Sequence, residues 1–179
     1  MTQIQQTWTQ HEEPFSKVVA SITDWDAASP CEGWSARDVL HHVMETERDF
    51  LGKQGHELLA AATAEDPAAA WREHNQAVTD LLGDQSVADK QFDGYFGPTT
   101  VGETLARFYG FDLLVHRWDL ARSQGADEQF TDAELDEIDS AVDGFGDHAY
   151  VPGIFADPVK VPEDADRTTK VLARTGRKV

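Results

Sequence analysis

Residues 100–125 read TVGETLARFYGFDLLVHRWDLARSQG and give the clearest indication of how the chain folds. Thr100 and Glu103 have the spacing of a capping box, which starts a helix, and Gly125 is a typical stop. Apolar side chains recur every three or four residues, the period of one helical face. That stripe contains Leu105, Tyr109, Leu113 and Leu120.

The same signals predict further helices on both sides of this segment. Ser35 is a plausible N-cap with Asp38 three residues later, Pro67 suits a first turn, and TDAE at residues 131–134 is another capping box. Pro14 either kinks the first helix or marks its true start. The predicted helices span residues 3–22, 35–61, 67–82, 100–125 and 131–143.

Two connections in the sequence are long. Residues 83–99 either hide a short strand or cross the bundle. After residue 147 the prolines predict an extended strap, followed by a short helix that ends near Gly176. We therefore expect an all-α fold, one helical-bundle domain over residues 1–179 with a long crossover.

Composition narrows the classes of function. The chain has 33 acidic and 15 basic residues, a formal net charge of −18, which disfavours nucleic acids and anionic membranes as partners. The first residues lack a basic stretch followed by an apolar core, so we expect no signal peptide. No run reaches about 18 apolar residues, and Cys31 is the single cysteine. These features predict a soluble, cytoplasmic protein.

The histidines carry the functional information. On a helical wheel His42 lies at the edge of the apolar face of the second helix, whereas His41 points to solvent. His116 lies at the centre of the stripe of residues 100–125, and Asp112 lies on the same stripe four residues earlier. Burying a carboxylate and an imidazole costs free energy unless hydrogen bonds, an opposite charge or a metal ion compensate for their lost hydration.

Two explanations of this pair are open. The side chains form a buried ionic network with each other or with Arg37 or Arg107, or Asp112 and His116 ligate a metal ion. For a metal, His42 is the best-placed third ligand, and the set suits zinc and accepts nickel, iron or manganese. Three protein ligands would leave one position open.

Other polar residues receive weaker assignments. Glu47 lies on the apolar face one turn beyond Val43 and is a weak candidate for proton transfer. Asp119 either supports a ligand histidine or holds a neighbouring turn, and Cys31 is expected to be a packing residue. The histidines with polar neighbours are expected to be solvated: His11, His56, His74 and His148.

Two separated segments carry a family resemblance. PCEGWSARDVLHHV (residues 30–43) and FDLLVHRWDLARSQG (residues 111–125) resemble the metal-binding domain of mycothiol-dependent maleylpyruvate isomerases, part of the DinB-like superfamily. VPEDADRTTKVLARTGR (residues 161–177) is similar to the close of a stand-alone subgroup. The resemblance implies a four-helix bundle of up-down-down-up topology and a metal triad of His42, Asp112 and His116.

The sequence departs from the isomerases in two ways. Asp112 stands where they have glutamate, one methylene longer, and the 179 residues do not include their additional C-terminal domain. We therefore do not expect maleylpyruvate isomerisation itself. The leading hypothesis is a metal-dependent transferase or isomerase, with zinc or nickel, that activates mycothiol toward an electrophilic substrate. A homodimer is the candidate assembly. The alternative is a non-catalytic, dimerising metal-binding module.

Overall fold

A computed structural model describes residues 1–59, 65–151 and 154–179. The structure is mostly helical, with one small antiparallel sheet. Its elements are α1 (Gln3–Ser21), α2 (Ala36–Lys53), α3 (Pro67–Gly83), α4 (Gln85–Ala88), β1 (Gln91–Gly94), β2 (Gly97–Thr100), α5 (Val101–Glu103), a π-helical segment (Thr104–Tyr109), α6 (Gly110–Ser123), α7 (Asp132–Phe145), a 3-10 helix (Gly146–Tyr150) and α8 (Arg167–Arg174).

The helix starts lie where the capping residues predicted them. Ser35 and Asp38 form a reciprocal capping box at α2, and Thr131 and Glu134 form another at α7. The side chain of Thr100 accepts a hydrogen bond from the backbone N–H of Glu103 at 3.1 Å. Pro14 lies inside α1, so the alternative that it marks the start of the first helix is wrong.

The predicted end of the second helix is wrong. α2 ends at Lys53, and the backbone N–H of His56 donates to the carbonyl of Leu51 at 2.8 Å across Gly55, which has φ of +89°. This left-handed turn closes the last carbonyls of the helix and prevents its continuation. Residues 60 and 61 of the predicted helix lie outside the described residues.

The predicted all-α class is confirmed as a mostly helical fold, with one small β-hairpin in a connection. Residues 83–99 contain α4 and most of a hairpin in which Gln91 pairs with Thr100 and Gly94 with Gly97. The short strand that we kept as an alternative is therefore present. The tip of this hairpin exposes Tyr95 and Phe96.

α6 lies at the centre of the fold. Its Leu113 and Leu120 pack into a core formed with α1, α2 and α3. Its opposite face, with Leu114 and Trp118, forms a second core with α7 and α8. Because almost every side chain of α6 is buried, polar residues on this helix are fixed by their surroundings.

The extended strap predicted after residue 147 is confirmed only in part, because the 3-10 helix includes residues 148–150 and residues 152 and 153 lie outside the described residues. Residues 155–162 contain no helix or strand, and α8 ends two residues before Gly176. Two arginines of α8 hold it against the acidic face of α7: Arg167 pairs with Asp132 and Asp136, and Arg174 with Asp139 and Asp143. No helix in the described part of the chain is long and apolar enough to cross a membrane.

Candidate metal centre

The structure brings the three predicted ligands together. His42 lies on α2, and Asp112 and His116 lie one turn apart on α6, which packs against α2. His42 Nε2 is 3.9 Å from Asp112 Oδ2, and His116 Nε2 is 3.4 Å from Asp112 Oδ1. One donor atom from each side chain lies within 4.8 Å of the other two.

The group is open on one side. The side chains of His42 and Asp112 are 31% and 30% exposed, whereas that of His116 is 9% exposed. Trp34 flanks the His42 ring with a centroid distance of 4.9 Å and restricts its movement. His41 points to solvent, as predicted, and lies 3.6 Å from Glu45.

The carboxylate of Asp112 makes no hydrogen bond within the described residues. Its contacts with the two imidazoles, 3.4 and 3.9 Å, are too long for charge-assisted hydrogen bonds, which are about 2.8 Å. The expected arginine partners are elsewhere: Arg37 pairs with Asp26 at 3.2 Å, and Arg107 lines a separate pocket. This arrangement favours a cation between the three side chains over a completed ionic network.

A buried hydrogen-bond chain holds His116 in place. His116 Nδ1 lies 2.8 Å from Asp119 Oδ2, and Asp119 is fully buried. Arg177 donates to both oxygens of that carboxylate, from Nε at 2.9 Å and from Nη2 at 2.6 Å. Asp119 therefore has the supporting role that we predicted as one of two alternatives, and it fixes which nitrogen of His116 faces Asp112.

These charges determine the protonation of the site without a metal. Burial lowers the pKa of His116, but the charge of Asp112 and the hydrogen bond to Asp119 outweigh it and raise this pKa to about 10. Burial lowers the pKa of His42. Burial raises the pKa of Asp119, but Arg177 and His116 outweigh it and bring this pKa well below its usual range. A proton on His116 therefore occupies the position that a cation would take.

Residues 8–121 match the family of the mycothiol maleylpyruvate isomerase N-terminal domain. The chain belongs to this family. No curated protein and no solved structure matches the chain. The match includes all three residues of the candidate metal centre but stops before α7, α8 and Arg177.

Glu47 forms a buried pair with His74 and does not lie at the open side of the metal centre. Its side chain is 1% exposed and one oxygen is 2.7 Å from Nε2 of His74, while the other oxygen has no hydrogen-bond partner among the described residues. Burial raises the pKa of Glu47, and the charge of Asp112 raises it further. Asp112 is therefore close enough to influence Glu47 electrostatically.

Two of the four histidines expected to be solvated are buried instead. His74 is 5% exposed because α3 packs against α2 and buries it beside Trp71. His11 is also 5% exposed and reaches Glu137 of α7 at 2.9 Å. Polar neighbours in sequence do not show which face of a helix packs. His148 is exposed as predicted, and His56 is partly exposed.

Sequence reasoning did not find Arg177. Its basic neighbours in TGRKV give no indication that this arginine, unlike Lys178, turns into the site. Cys31 packs against the hydrophobic core, as predicted, and its thiol also lies 3.4 Å from Oδ2 of Asp119. Cys31, His116 and Asp119 form a second possible ligand group, but Arg177 already occupies the Asp119 carboxylate, so this group fits a cation less well.

Proposed function

We propose that His42, Asp112 and His116 bind one divalent metal ion and that the chain uses it to activate a low-molecular-weight thiol of the mycothiol type. The thiol would then be transferred to an electrophilic substrate or promote its isomerisation. The observation that carries this proposal is the cluster of three donor atoms within 4.8 Å of one another, open on one side. Membership of a mycothiol isomerase domain family supports the choice of thiol.

The donor set fits a metal such as zinc, with nickel as the second candidate. Two imidazole nitrogens and a carboxylate oxygen are ordinary ligands for these ions. Ligand atoms about 2 Å from a tetrahedral ion lie about 3.3 Å apart. The observed separations of 3.4 and 3.9 Å require small side-chain movements to reach that value.

A bound divalent cation would lower the pKa of a thiol at the open position, so that the nucleophilic thiolate is present near neutral pH. The protein contributes orientation and charge balance. Asp119 accepts a hydrogen bond from His116 Nδ1 and keeps Nε2 directed toward Asp112. Arg177 balances the charge of Asp119, and Trp34 restrains His42.

We also propose that the Glu47–His74 pair takes part in moving the thiol proton. Glu47 is a suitable proton acceptor, because it is a buried carboxyl group with a raised pKa and one of its oxygens has no hydrogen-bond partner in the described part of the chain. The rival role is structural, the joining of α2 to α3. Glu47→Gln tests this assignment: a proton-transfer role predicts an altered pH profile of thiol transfer with an unchanged amount of bound metal.

The remaining features of the proposal concern the whole chain. We propose the up-down-down-up bundle topology of the DinB-like superfamily, no nucleic-acid partner, and a homodimer. We place the protein in the cytoplasm because a low-molecular-weight thiol is kept reduced there.

Cobalt substitution tests the thiol assignment directly. Mycothiol added to the cobalt-loaded protein should produce an intense near-ultraviolet thiolate band, with an apparent pKa well below the value of about 8.5 for a free thiol. Asp112→Asn should weaken or remove the band, because a neutral amide is a poor ligand. His41→Ala is the matched control and should leave the band unchanged.

The same titration separates the two functions. An unchanged cobalt spectrum at millimolar mycothiol, with the metal demonstrably bound, would reject thiol activation. The non-catalytic metal-binding module would then be the better description.

A further inference from the structure

A cavity separate from the metal centre lies on the side of α6 that faces α7. It has a volume of about 300 Å³, within the range of small-ligand sites. Its walls come from four parts of the fold: the hairpin turn, the π-helical segment, α6 and α7. The lining includes Phe96, Arg107, Phe108, Phe111, Gly144 and Phe145.

The walls of this aromatic pocket suit a flat apolar ring. The Phe145 ring lies 5.6 Å from Phe96, 6.2 Å from Phe108 and 6.5 Å from Phe111, centroid to centroid. These distances fall within the range of aromatic pairs, and all four rings line the cavity. Phe96 is 65% exposed and Phe108 is 44% exposed, which is unusual for phenylalanine.

Arg107 gives the aromatic pocket a charge preference. It is the charged residue of the lining, it is exposed, and it has no ion-pair partner within residues 1–59, 65–151 and 154–179. On a protein with a net charge of −18, anions are repelled by most of the surface. A guanidinium beside aromatic walls therefore selects a ligand with an apolar ring and a negatively charged group, with which arginine forms paired hydrogen bonds.

The aromatic pocket and the candidate metal centre both use residues of α6. Phe111, a wall of the pocket, precedes Asp112 directly in α6. Phe111 packs in the core shared with α7 and α8, whereas Asp112 faces His42 of α2. A second protein chain is a poorer occupant, because a stable interface uses about 20–30 residues a side and this lining has far fewer.

We infer that the aromatic pocket binds an aromatic carboxylate, with its ring between Phe96, Phe108 and Phe145 and its carboxylate at Arg107. Because this ligand would be the electrophilic substrate of the thiol, that part of the inference rests on the proposed function. Binding itself depends on no residue of the metal centre. Binding of the aromatic carboxylate and activation of the thiol can therefore be disproved independently of each other.

Calorimetric titration with 2-naphthoate tests the inference, with 2-naphthamide as the neutral analogue. We expect one naphthoate per chain and at least tenfold weaker binding of the amide. Arg107→Gln should reduce naphthoate to the affinity of the amide. Arg72→Gln, the same charge change at an exposed position on α3, should not.

A second pair of variants tests whether naphthoate binds in the aromatic pocket. Gly144 has open space where a side chain would begin, so Gly144→Leu should fill the pocket without strain and reduce the affinity for both probes at least tenfold. Gly52→Leu adds the same side chain at an open helical position of α2, outside the lining, and should have no effect.

Three results would overturn the inference: no naphthoate binding, binding that survives both Arg107→Gln and Gly144→Leu, or a sedimentation change showing that Gly144→Leu dissociates a dimer. Titration after chelation separates the two proposals. Naphthoate binding that persists without metal supports the pocket, whatever the result of the cobalt and mycothiol experiment. A mycothiol band without naphthoate binding would reject the pocket and leave thiol activation standing.

Discussion

His116 is oriented by a neighbour in α6, which is itself held by a residue near the C-terminus. Asp119 lies three residues beyond it on α6, and Arg177 follows α8, near the C-terminus. Breaking a buried ion pair by removing one partner is costly because the other charge stays buried without compensation. The C-terminal residues therefore stabilise the fold and position a candidate metal ligand through the same contact.

Arg177→Gln should lower the free energy of unfolding by about 3–5 kcal/mol, the range for a broken buried pair. It should also weaken metal binding by about 10–100-fold, because Asp119 no longer holds His116 firmly. Arg167→Gln is the control, since it removes two exposed ion pairs, with Asp132 and Asp136, each worth no more than about 1 kcal/mol. Urea unfolding and a chelator competition measure both quantities. Equal effects of the two variants would show that Arg177 is an ordinary surface contact.

Metal binding should depend on pH through His116. In the metal-free protein its pKa is raised to about 10, so at pH 6–8 the ring is protonated and a metal must displace that proton. The apparent affinity should therefore rise by about tenfold per pH unit over this range. His42 should not add to the slope above pH 7, because its pKa is lowered. Competition with a chelator at several pH values would contradict this if the affinity stayed constant.

At the scale of elements, the junction of α1 and α6 is unusually close. A Cβ on Gly110, the first residue of α6, would lie 2.6 Å from Nδ1 of His11. The His11 ring cannot move away easily, because it is buried and paired with Glu137. Glycine at this position lets the π-helical segment pass directly into α6 against α1.

Gly110→Ala should therefore destabilise the protein, by about 1–3 kcal/mol from overpacking, against a gain in helix propensity of about 1 kcal/mol. Gly52→Ala, at a helical position with nothing within 4 Å of the new Cβ, should stabilise it by about 0.5–1 kcal/mol. Chemical unfolding of the two variants measures the difference. A stabilised Gly110→Ala variant would show that the His11 ring moves aside to make room for the new Cβ.

The sequence predicts helix starts better than helix ends and packing. Thr100, Ser35 and Thr131 are identifiable because capping depends on residues three positions apart. The turn at Gly55 and the pairing of His74 with Glu47 depend on which helices meet, and that is decided by contacts far apart in sequence. The proximity of His42, Asp112 and His116 was predictable because two helical periods and the family resemblance select the same residues. Arg177 was not, since no local pattern distinguishes it from its basic neighbours.

At the scale of the whole molecule, the net charge of −18 dominates interactions between chains. The arginines of α8 neutralise part of the acidic face of α7, but most of the carboxylates remain. The proposed homodimer must form against this repulsion, and salt screens charges over about 10 Å at 0.1 M. Dimerisation should therefore strengthen with added salt. Sedimentation showing a monomer at every ionic strength and at high protein concentration would contradict it.

The most direct test of the metal centre is the metal content of the purified protein. Elemental analysis, after titration with metal if purification has stripped the site, should give close to one divalent ion per chain. His116→Ala should abolish this binding, because it removes the buried donor that Asp119 orients. His41→Ala should retain it, since that ring faces solvent. Equal metal loss in both variants, or a wild-type protein that takes up no metal at all, would contradict the account.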